Sequence, residues 1–423
     1  MTSKIAVIGT GYVGLTTGAC FAHLGHEVVC ADIDEAKVES LKRGEIPIHE
    51  AGLEEVVRGA MDAGTLSFVL GSENAVGDAE FVYLCVPTPQ GEDGSADLSY
   101  LKAAASEISS HLKPGTVVVN KSTVPVGSTL LVERALGRSD IPVVSNPEFL
   151  REGTAVDDFL NPDRVVIGAD DQAAAGRVAS LYLGVRAPIM VTDPASAETC
   201  KYAANAFLAT KLSFTNAIAA VCEAVGADVN DVLLGMGYDH RIGHEFLRPG
   251  PGWGGSCFPK DSKAIISIAD DAGYDFALMR GVVEVNEEQF ERIVAKVESV
   301  TPLAGKTIGV LGIAFKAGTD DTRQSPAIEV MARLVAKGAS VKAYDPAVKS
   351  LELDGVEVVD NAYEACDGAS AVVIATEWDE FKWLDLDKVG EQVAERNIID
   401  ARNLLDRGSL KRRGFTYQGV GRS

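Results

Sequence analysis

The sequence predicts an α/β protein built from two doubly wound parallel-sheet domains, joined by a long central helix and a helical middle segment. Three observations predict it. Short, continuously apolar β-branched runs alternate with helical stretches over the N-terminal part of the chain. The alternation gives way to a stretch without Gly or Pro over 195–225, and it resumes after Thr301-Pro302. Strands that are apolar throughout belong to sheets covered on both faces, and the helices between them are the crossovers that parallel pairing requires.

In the first domain, residues 1–194, strands are expected at Ile5–Ile8, Val28–Ala31, Phe81–Leu84, Thr116–Val119, Val143–Val144, Val165–Ile167 and Ile189–Val191. Residues 195–300 form the helical connector, where Tyr202, Phe207, Leu212, Phe214, Ile218 and Val221 recur at helical spacings. So apolar a helix is expected to pair two copies of the chain as a symmetric dimer, the alternative being an interior link between the two α/β domains. In residues 301–423 strands are expected at Ile308–Leu311, Val341–Tyr344, Val372–Ile374 and Ile398–Ile399. The two α/β domains read as loose copies, since Lys4–Gly9 leading to Asp32 is echoed by Thr307–Gly312 leading to Asp345. Two nucleotide ligands follow if both copies kept their site; an old duplication with one idle half is the alternative.

Composition narrows the function. The 423 residues are 46% apolar and 24% charged, as in ordinary globular proteins. Lys and Arg number 39 against 61 Asp and Glu, a net charge of −22 that repels nucleic acid and anionic lipid alike. Neither nucleic acid nor a membrane is an expected partner. The seven cysteines are odd in number and include no Cys-x-x-Cys, which points to reduced thiols and the cytoplasm. His240 and His244 are four apart but have Arg241 and Gly243 between them, so no metal is expected.

Four local patterns carry chemistry. Gly9-Thr10-Gly11-Tyr12-Val13-Gly14 follows a strand, opens a helix, and is followed by a second strand ending at Asp32. That is the Rossmann-like dinucleotide pattern: glycines for the turn, a helix N-terminus for pyrophosphate, and a carboxylate for the ribose diol. A carboxylate there repels a 2′-phosphate, which favours NAD over NADP, and Lys37 lies close enough to assist at the adenosine end. Gly254-Gly255-Ser256-Cys257-Phe258-Pro259-Lys260-Asp261 sets Cys257 just before a helix, where the helix dipole and Lys260 favour thiolate. Lys201 and Asn205, four apart on the long helix, share a face from which both can donate to an oxyanion. Thr123 and Glu148 follow strands, at the ends where ligands of open α/β sheets collect.

Several ordered motifs together resemble the UDP-glucose/GDP-mannose dehydrogenase family across nearly the whole chain. They are Gly9–Gly14, Val86-Pro87-Thr88-Pro89, Ser122–Gly127, Asn146–Thr154, Glu198–Lys211, Arg241-Ile242-Gly243, Gly250–Asp261, and Phe315-Lys316 through Asp321-Thr322-Arg323. Gln324 and Ala401 stand where Glu and Gly are usual. The resemblance implies that NAD is the oxidant, held by Gly9, Gly11, Tyr12, Val13, Gly14, Asp32, Lys37, Thr88, Thr123, Glu152 and Arg323. It implies Cys257 as nucleophile, Lys201 and Asn205 at the oxyanion, Asp261 and Thr123 organising water and protons, and Glu148 assisting thioester hydrolysis. Glu148, Phe149, Leu150, Arg151, Lys201, Asn205, Phe246, Leu247 and Gly254 would line the sugar-nucleotide site. Lys316 and Arg402 would meet the far end of that ligand, and Arg241 would reach across a dimer interface.

A nicotinamide and a thiolate together imply oxidation of an alcohol through the aldehyde to the acid, and the resemblance implies UDP-glucose as the substrate. GDP-mannose or UDP-N-acetylmannosamine are the alternatives, and an NAD-binding thiol sensor without turnover is a reading from another class. Lys201 must stay charged at the oxyanion, so a carboxylate or phosphate is expected beside it.

Overall fold

The structure is a computed structural model describing residues 2–89, 91 and 96–422. The chain divides into two compact units, Met1–Ala204 and Asn205–Ser423.

The first unit is built on an eight-stranded sheet. In chain order its strands are β1 (Lys4–Ile8), β2 (Glu27–Asp32), β3 (Leu66–Leu70), β4 (Phe81–Leu84), β5 (Val117–Asn120), β6 (Val143–Ser145), β7 (Val165–Gly168) and β8 (Ile189–Thr192). They lie in the order β3-β2-β1-β4-β5-β6-β7-β8. The first six are parallel, whereas β7 meets β6 antiparallel at Ser145 and Gly168 and carries β8 parallel to itself. Strand order reverses between β1 and β4, so the crevice for a ligand opens beyond their C-terminal ends. The helix Tyr12–His23 closes one face of the sheet. Its Phe21 ring packs on Tyr83, Phe159 and Tyr182 at centroid distances of 5.1, 5.0 and 5.2 Å. Gly18 lets this helix approach, because a Cβ there would lie 2.4 Å from the Cys30 sulfur.

The second unit carries most of the long helix Pro194–Val225, the helices Val229–Gly237, Phe258–Asp271 and Ala277–Glu298, and a six-stranded parallel sheet. Its strands are β9 (Thr307–Leu311), β10 (Ser340–Tyr344), β11 (Val356–Val358), β12 (Ala371–Ile374), β13 (Asn397–Asp400) and β14 (Thr416–Gly419), in the order β11-β10-β9-β12-β13-β14. Helix residues Ala219, Cys222, Phe290 and Ile293 share one core with Ile308 and Val310 of the sheet, so the middle segment packs as part of this unit.

The predicted fold class is therefore present, with three strands added that the sequence pattern did not reveal. All three, β3, β11 and β14, are sheet edges. An edge strand is covered on fewer sides, and its residues alternate in burial or are few, so the continuous apolar run that marks a central strand is missing.

Candidate active site

In the first unit the glycine-rich turn runs from β1 into the helix Tyr12–His23. Gly9 has φ +94° and packs so closely on the Cys85 carbonyl that a Cβ would sit 2.7 Å from its oxygen. A Cβ on Gly14 would lie 1.9 Å from the Gly9 carbonyl oxygen. Gly11, by contrast, has open space before it and caps the helix without any side-chain hydrogen bond. Free helix N–H groups facing open space suit a pyrophosphate. Val13 packs against the core beneath the turn.

Asp32 ends β2, and its carboxylate accepts from the Thr10 N–H (2.9 Å), the Thr10 hydroxyl and the Lys37 ammonium (3.0 Å). Burial alone would raise its pKa, but these donors outweigh it and hold the acid at about 2. Ile33, next in sequence, is 80% exposed and offers an apolar surface beside the carboxylate, suited to a flat base. The residues present thus fit a dinucleotide with a free 2′-hydroxyl.

A second group lies at the ends of β5 and β6. Lys201 and Glu148 form an ion pair at 2.9 Å with side chains 4% and 5% exposed. The expected carboxylate beside Lys201 is therefore Glu148. Its other oxygen accepts from the Leu150 N–H at 2.6 Å, and the Thr123 hydroxyl approaches at 3.4 Å. Burial pushes the Glu148 pKa up, but Lys201, the Leu150 amide and Lys121 outweigh burial and keep it below the usual carboxylate value. Thr88 donates to the Thr123 carbonyl at 2.9 Å and fixes that loop. The Phe149 ring lies 5.6 Å from the Lys201 ammonium and is stacked by Arg164 at 3.6 Å. Arg151 is turned to Asp158, which also accepts from its backbone N–H at 2.8 Å. Glu152 is half-buried and adds negative charge near the Tyr12 hydroxyl.

In the second unit Cys257 is the N-cap of the helix Phe258–Asp271, with Pro259 in the first turn. Asp261, fully buried, closes that turn by donating its N–H to the Cys257 carbonyl at 2.8 Å. The Asp261 carboxylate accepts from Asn205 at 2.6 Å and from Lys260 at 2.7 Å. Lys260 thus shares its charge with Asp261 in the same first turn that Cys257 caps, where the helix terminus also favours thiolate. Gly254 is required by contact, since a Cβ would lie 1.9 Å from the Gln324 carbonyl oxygen.

Among the described residues three non-glycines have left-handed backbone: Phe246 (φ 60°), Gln324 (φ 46°) and Asn403 (φ 52°). Phe246 and Asn403 are, or adjoin, residues expected at the sugar nucleotide, Gln324 adjoins Arg323, expected at NAD, and such strain persists where packing enforces it. Leu247 is buried against the sheet core. Arg402 donates to the Ala375 carbonyl at 2.9 Å and pairs with Glu377 at 3.0 Å, Lys316 lies 5.6 Å from the Phe315 ring, and Arg323 pairs with Asp321 at 2.6 Å. Among the described residues Arg241 pairs locally, with Asp239, and is 78% exposed.

Asp345 resolves the duplication. Its carboxylate accepts from the N–H groups of Ile313 (2.8 Å), Ala314 (3.0 Å), Ala347 (2.8 Å) and Val348 (3.2 Å), and from the Trp378 indole (3.1 Å). The Asp32 side chain keeps 12% of its surface exposed, while its echo is fully buried and consumed in holding a loop. The second sheet therefore does not repeat the dinucleotide site.

Sequence reasoning missed three organising residues. Buried Glu50 accepts from the Tyr12 hydroxyl and from the N–H groups of Gly153 (2.6 Å) and Ala155 (2.8 Å), tying the glycine-rich helix to the loop bearing Arg151 and Glu152. Glu198 accepts from the N–H groups of Gly127 (2.7 Å) and Thr129 (2.9 Å) and anchors the long helix to the segment after Thr123. Lys121 lies buried beside Asn146.

Comparison with known proteins agrees with this organisation. The chain matches three domains described for the UDP-glucose/GDP-mannose dehydrogenase family: NAD binding over 3–185, central over 195–288, and UDP binding over 309–407. It is 47% identical over 429 residues to the UDP-glucose 6-dehydrogenase TuaD of Bacillus subtilis, covering 99% of this chain and 93% of the relative. It is 44% identical to the UDP-glucose 6-dehydrogenase of Rhizobium meliloti, covering 99% of each. Among solved structures, a UDP-glucose dehydrogenase from Pyrobaculum islandicum superposes with a TM-score of 0.91 at 38% identity, covering 100% of this chain and 98% of that one.

Proposed function

The chain belongs to the UDP-glucose/GDP-mannose dehydrogenase family, and on that premise we propose that it oxidises UDP-glucose to UDP-glucuronate with two NAD reduced. The observation that carries this reading is a thiol at a helix N-terminus whose first turn is braced by Asp261 and Asn205, in a chain that also holds an NAD-type turn with Asp32. A dinucleotide alone takes an alcohol to an aldehyde. Going on to the acid needs a nucleophile that recreates a hydrogen-bearing carbon with an oxyanion.

Bound NAD supplies the hydride acceptor, once for each oxidation. Cys257 sulfur adds to the aldehyde carbon, and Lys201 and Asn205, one turn apart on the same helix, donate to the oxygen that gains charge. Donors fixed at such an oxygen contribute on the order of 3 to 4 kcal/mol. The second oxidation leaves a thioester on Cys257. Water then adds to its carbonyl with Glu148 taking a proton, and the thiolate departs. Asp261 and Thr123 hold the water and protons in place. The UDP moiety is assigned to the second sheet, with Lys316 and Arg402 at its far end.

A symmetric homodimer is part of the proposal. Phe207 (64% exposed), Phe214 (47%), Val221 (55%) and Val225 (71%) form one stripe along the helix Pro194–Val225. This helix is long and apolar enough to cross a membrane by length and composition, but it also carries Lys201, Asn205 and Asn216 buried among hydrogen-bonding groups. A second copy of the stripe suits it better than lipid, and Arg241 would then reach the partner's ligand. Seven free cysteines favour the cytoplasm.

The test is a count of NADH per UDP-glucose, with GDP-mannose and UDP-N-acetylmannosamine assayed in parallel. Two NADH per UDP-glucose is the expected result. One would reduce the chain to an alcohol dehydrogenase, none would favour a thiol sensor, and a tenfold preference for another sugar nucleotide would overturn the substrate.

A further inference from the structure

Lys121 is a buried charge that the reaction scheme leaves unused. It follows β5 directly, and the β5–β6 register pairs Asn120 with Ser145, which sets Lys121 beside Asn146. Its ammonium donates to Asn146 Oδ1 at 3.2 Å and to Tyr182 Oη at 3.4 Å, with the Phe159 and Tyr182 rings 6.0 Å away. Asn146 is itself fixed by donating to the Val166 carbonyl at 2.8 Å, so the site is built. The ionisable groups that face Lys121 are Glu148 from the β6 loop, Cys85 from the end of β4, Lys201 from the long helix, and the Tyr182 hydroxyl after β7. An ammonium surrounded so closely by neutral groups is costly to bury, and a hydrocarbon chain would fill the space at less expense. Burial pushes the amine down to about 8, against the pull of Glu148.

Glu148 supplies the reason for keeping it. At rest its charge is matched by Lys201. When Lys201 donates to a substrate oxyanion, its hydrogen bonds are shared, and the other donors to Glu148, the Leu150 amide and the Thr123 hydroxyl, are neutral. A buried carboxylate left with neutral donors takes up a proton and ceases to be a base. We propose that Lys121 is a positioning residue for Glu148: the fixed cation that keeps its carboxylate ionised while Lys201 is engaged by the substrate. The inference rests on Glu148 acting in thioester hydrolysis. In that step a water oxygen bonds to the thioester carbon and a water proton passes to Glu148. The carbon–sulfur bond then breaks, with its electron pair leaving on the Cys257 sulfur.

The experiment compares Lys121→Met with the wild type between pH 4 and 9, following NADH formation and, by acid quench and peptide mass, the thioester on Cys257. One opposite charge lost near a carboxylate moves its titration up by about one pH unit or more. The acid limb of thioester decay is therefore expected to shift up by about that much, with decay slowed about tenfold below the limb. The two proteins should converge near pH 9, and KM for UDP-glucose and NAD should stay within about twofold. Tyr182→Phe keeps the lysine but removes one acceptor, and is expected to move the same limb by a smaller amount. It covers the case in which Lys121→Met does not fold. A limb unmoved in either folded variant, or a loss of rate equal at every pH, overturns the proposal. A wild-type protein that makes no thioester defeats the scheme beneath it instead.

Discussion

Glu148→Gln breaks an ion pair whose two side chains are 4% and 5% exposed and 2.9 Å apart. Removing one member of such a pair costs about 3–5 kcal/mol, because the other keeps a charge in a poorly solvated place. Here Lys121 lies close enough to Lys201 to add repulsion. The glutamine can still accept from the Leu150 amide, so the loss falls on the charge and not on the loop. With about 2–3 kcal/mol/M for the urea dependence of a unit of this size, the midpoint of its transition should fall by about 1 to 2.5 M.

The pH dependence has a definite sign. In the wild type Glu148 is held below its unfolded value, because Lys201, the Leu150 amide and Lys121 outweigh the upward push of burial. Its stabilisation is present above the ordinary carboxylate range and lost as pH falls through the lowered folded value. In the variant, Lys201 should titrate below the ordinary lysine value. The unfolded chain then binds more protons, and stability climbs as pH rises between the two values. Adding Lys201→Met removes the stranded charge and should restore most of the midpoint, though not turnover. Urea titrations at pH 6 to 9 on the single and double variants test this. A Glu148→Gln protein within about 0.5 kcal/mol of the wild type, with the same pH dependence, would refute the reasoning.

Asp32→Ala should weaken NAD binding tenfold or more by calorimetry, since hydrogen bonds to a charged acceptor are worth about 1.5–3 kcal/mol. Because Asp32 titrates at about 2, that binding should be flat from pH 5 to 9 in the wild type. Its stabilising effect, present above the unfolded carboxylate value, is lost only as pH falls toward 2. Gly254→Ala drives a Cβ to within 1.9 Å of the Gln324 carbonyl oxygen, so the loop must shift, with KM for UDP-glucose rising and the thermal transition falling by several degrees. Phe207→Glu with Phe214→Glu should yield a monomer by light scattering, and a dimer that survives both charges would remove the stripe as the interface.

The centres of both sheets were legible because strands such as β4 and β12 are buried at every residue. The Asp32 site was legible because its parts lie close together in sequence and the turn admits few residues. Glu50 and Glu198 were not: each is an ordinary acidic residue until folding brings it to backbone donors 103 and 71 positions away. Lys121 was hidden inside a recognised run, where its neighbours Ser122 and Thr123 drew the chemical reading. The pairing of Lys260 with its sequence neighbour Asp261 was not read from the sequence, where both were taken only in relation to the thiol. Asp345 shows the limit of reading a repeat: an aspartate stands at the C-terminal end of β2 and directly after β10, yet the surrounding loop decides whether its carboxylate is partly exposed or is taken up by four backbone amides.

The central claim, that one thiol holds the sugar between two oxidations, is tested most directly on the Cys257 peptide. The protein is mixed with UDP-glucose labelled with carbon-13 at C6, quenched in acid, and examined by mass and by NMR. The account predicts a labelled thioester carbonyl on Cys257 that appears with the second NADH and decays as UDP-glucuronate forms. Glucuronate released at the full rate while Cys257 carries no label at any time would contradict it.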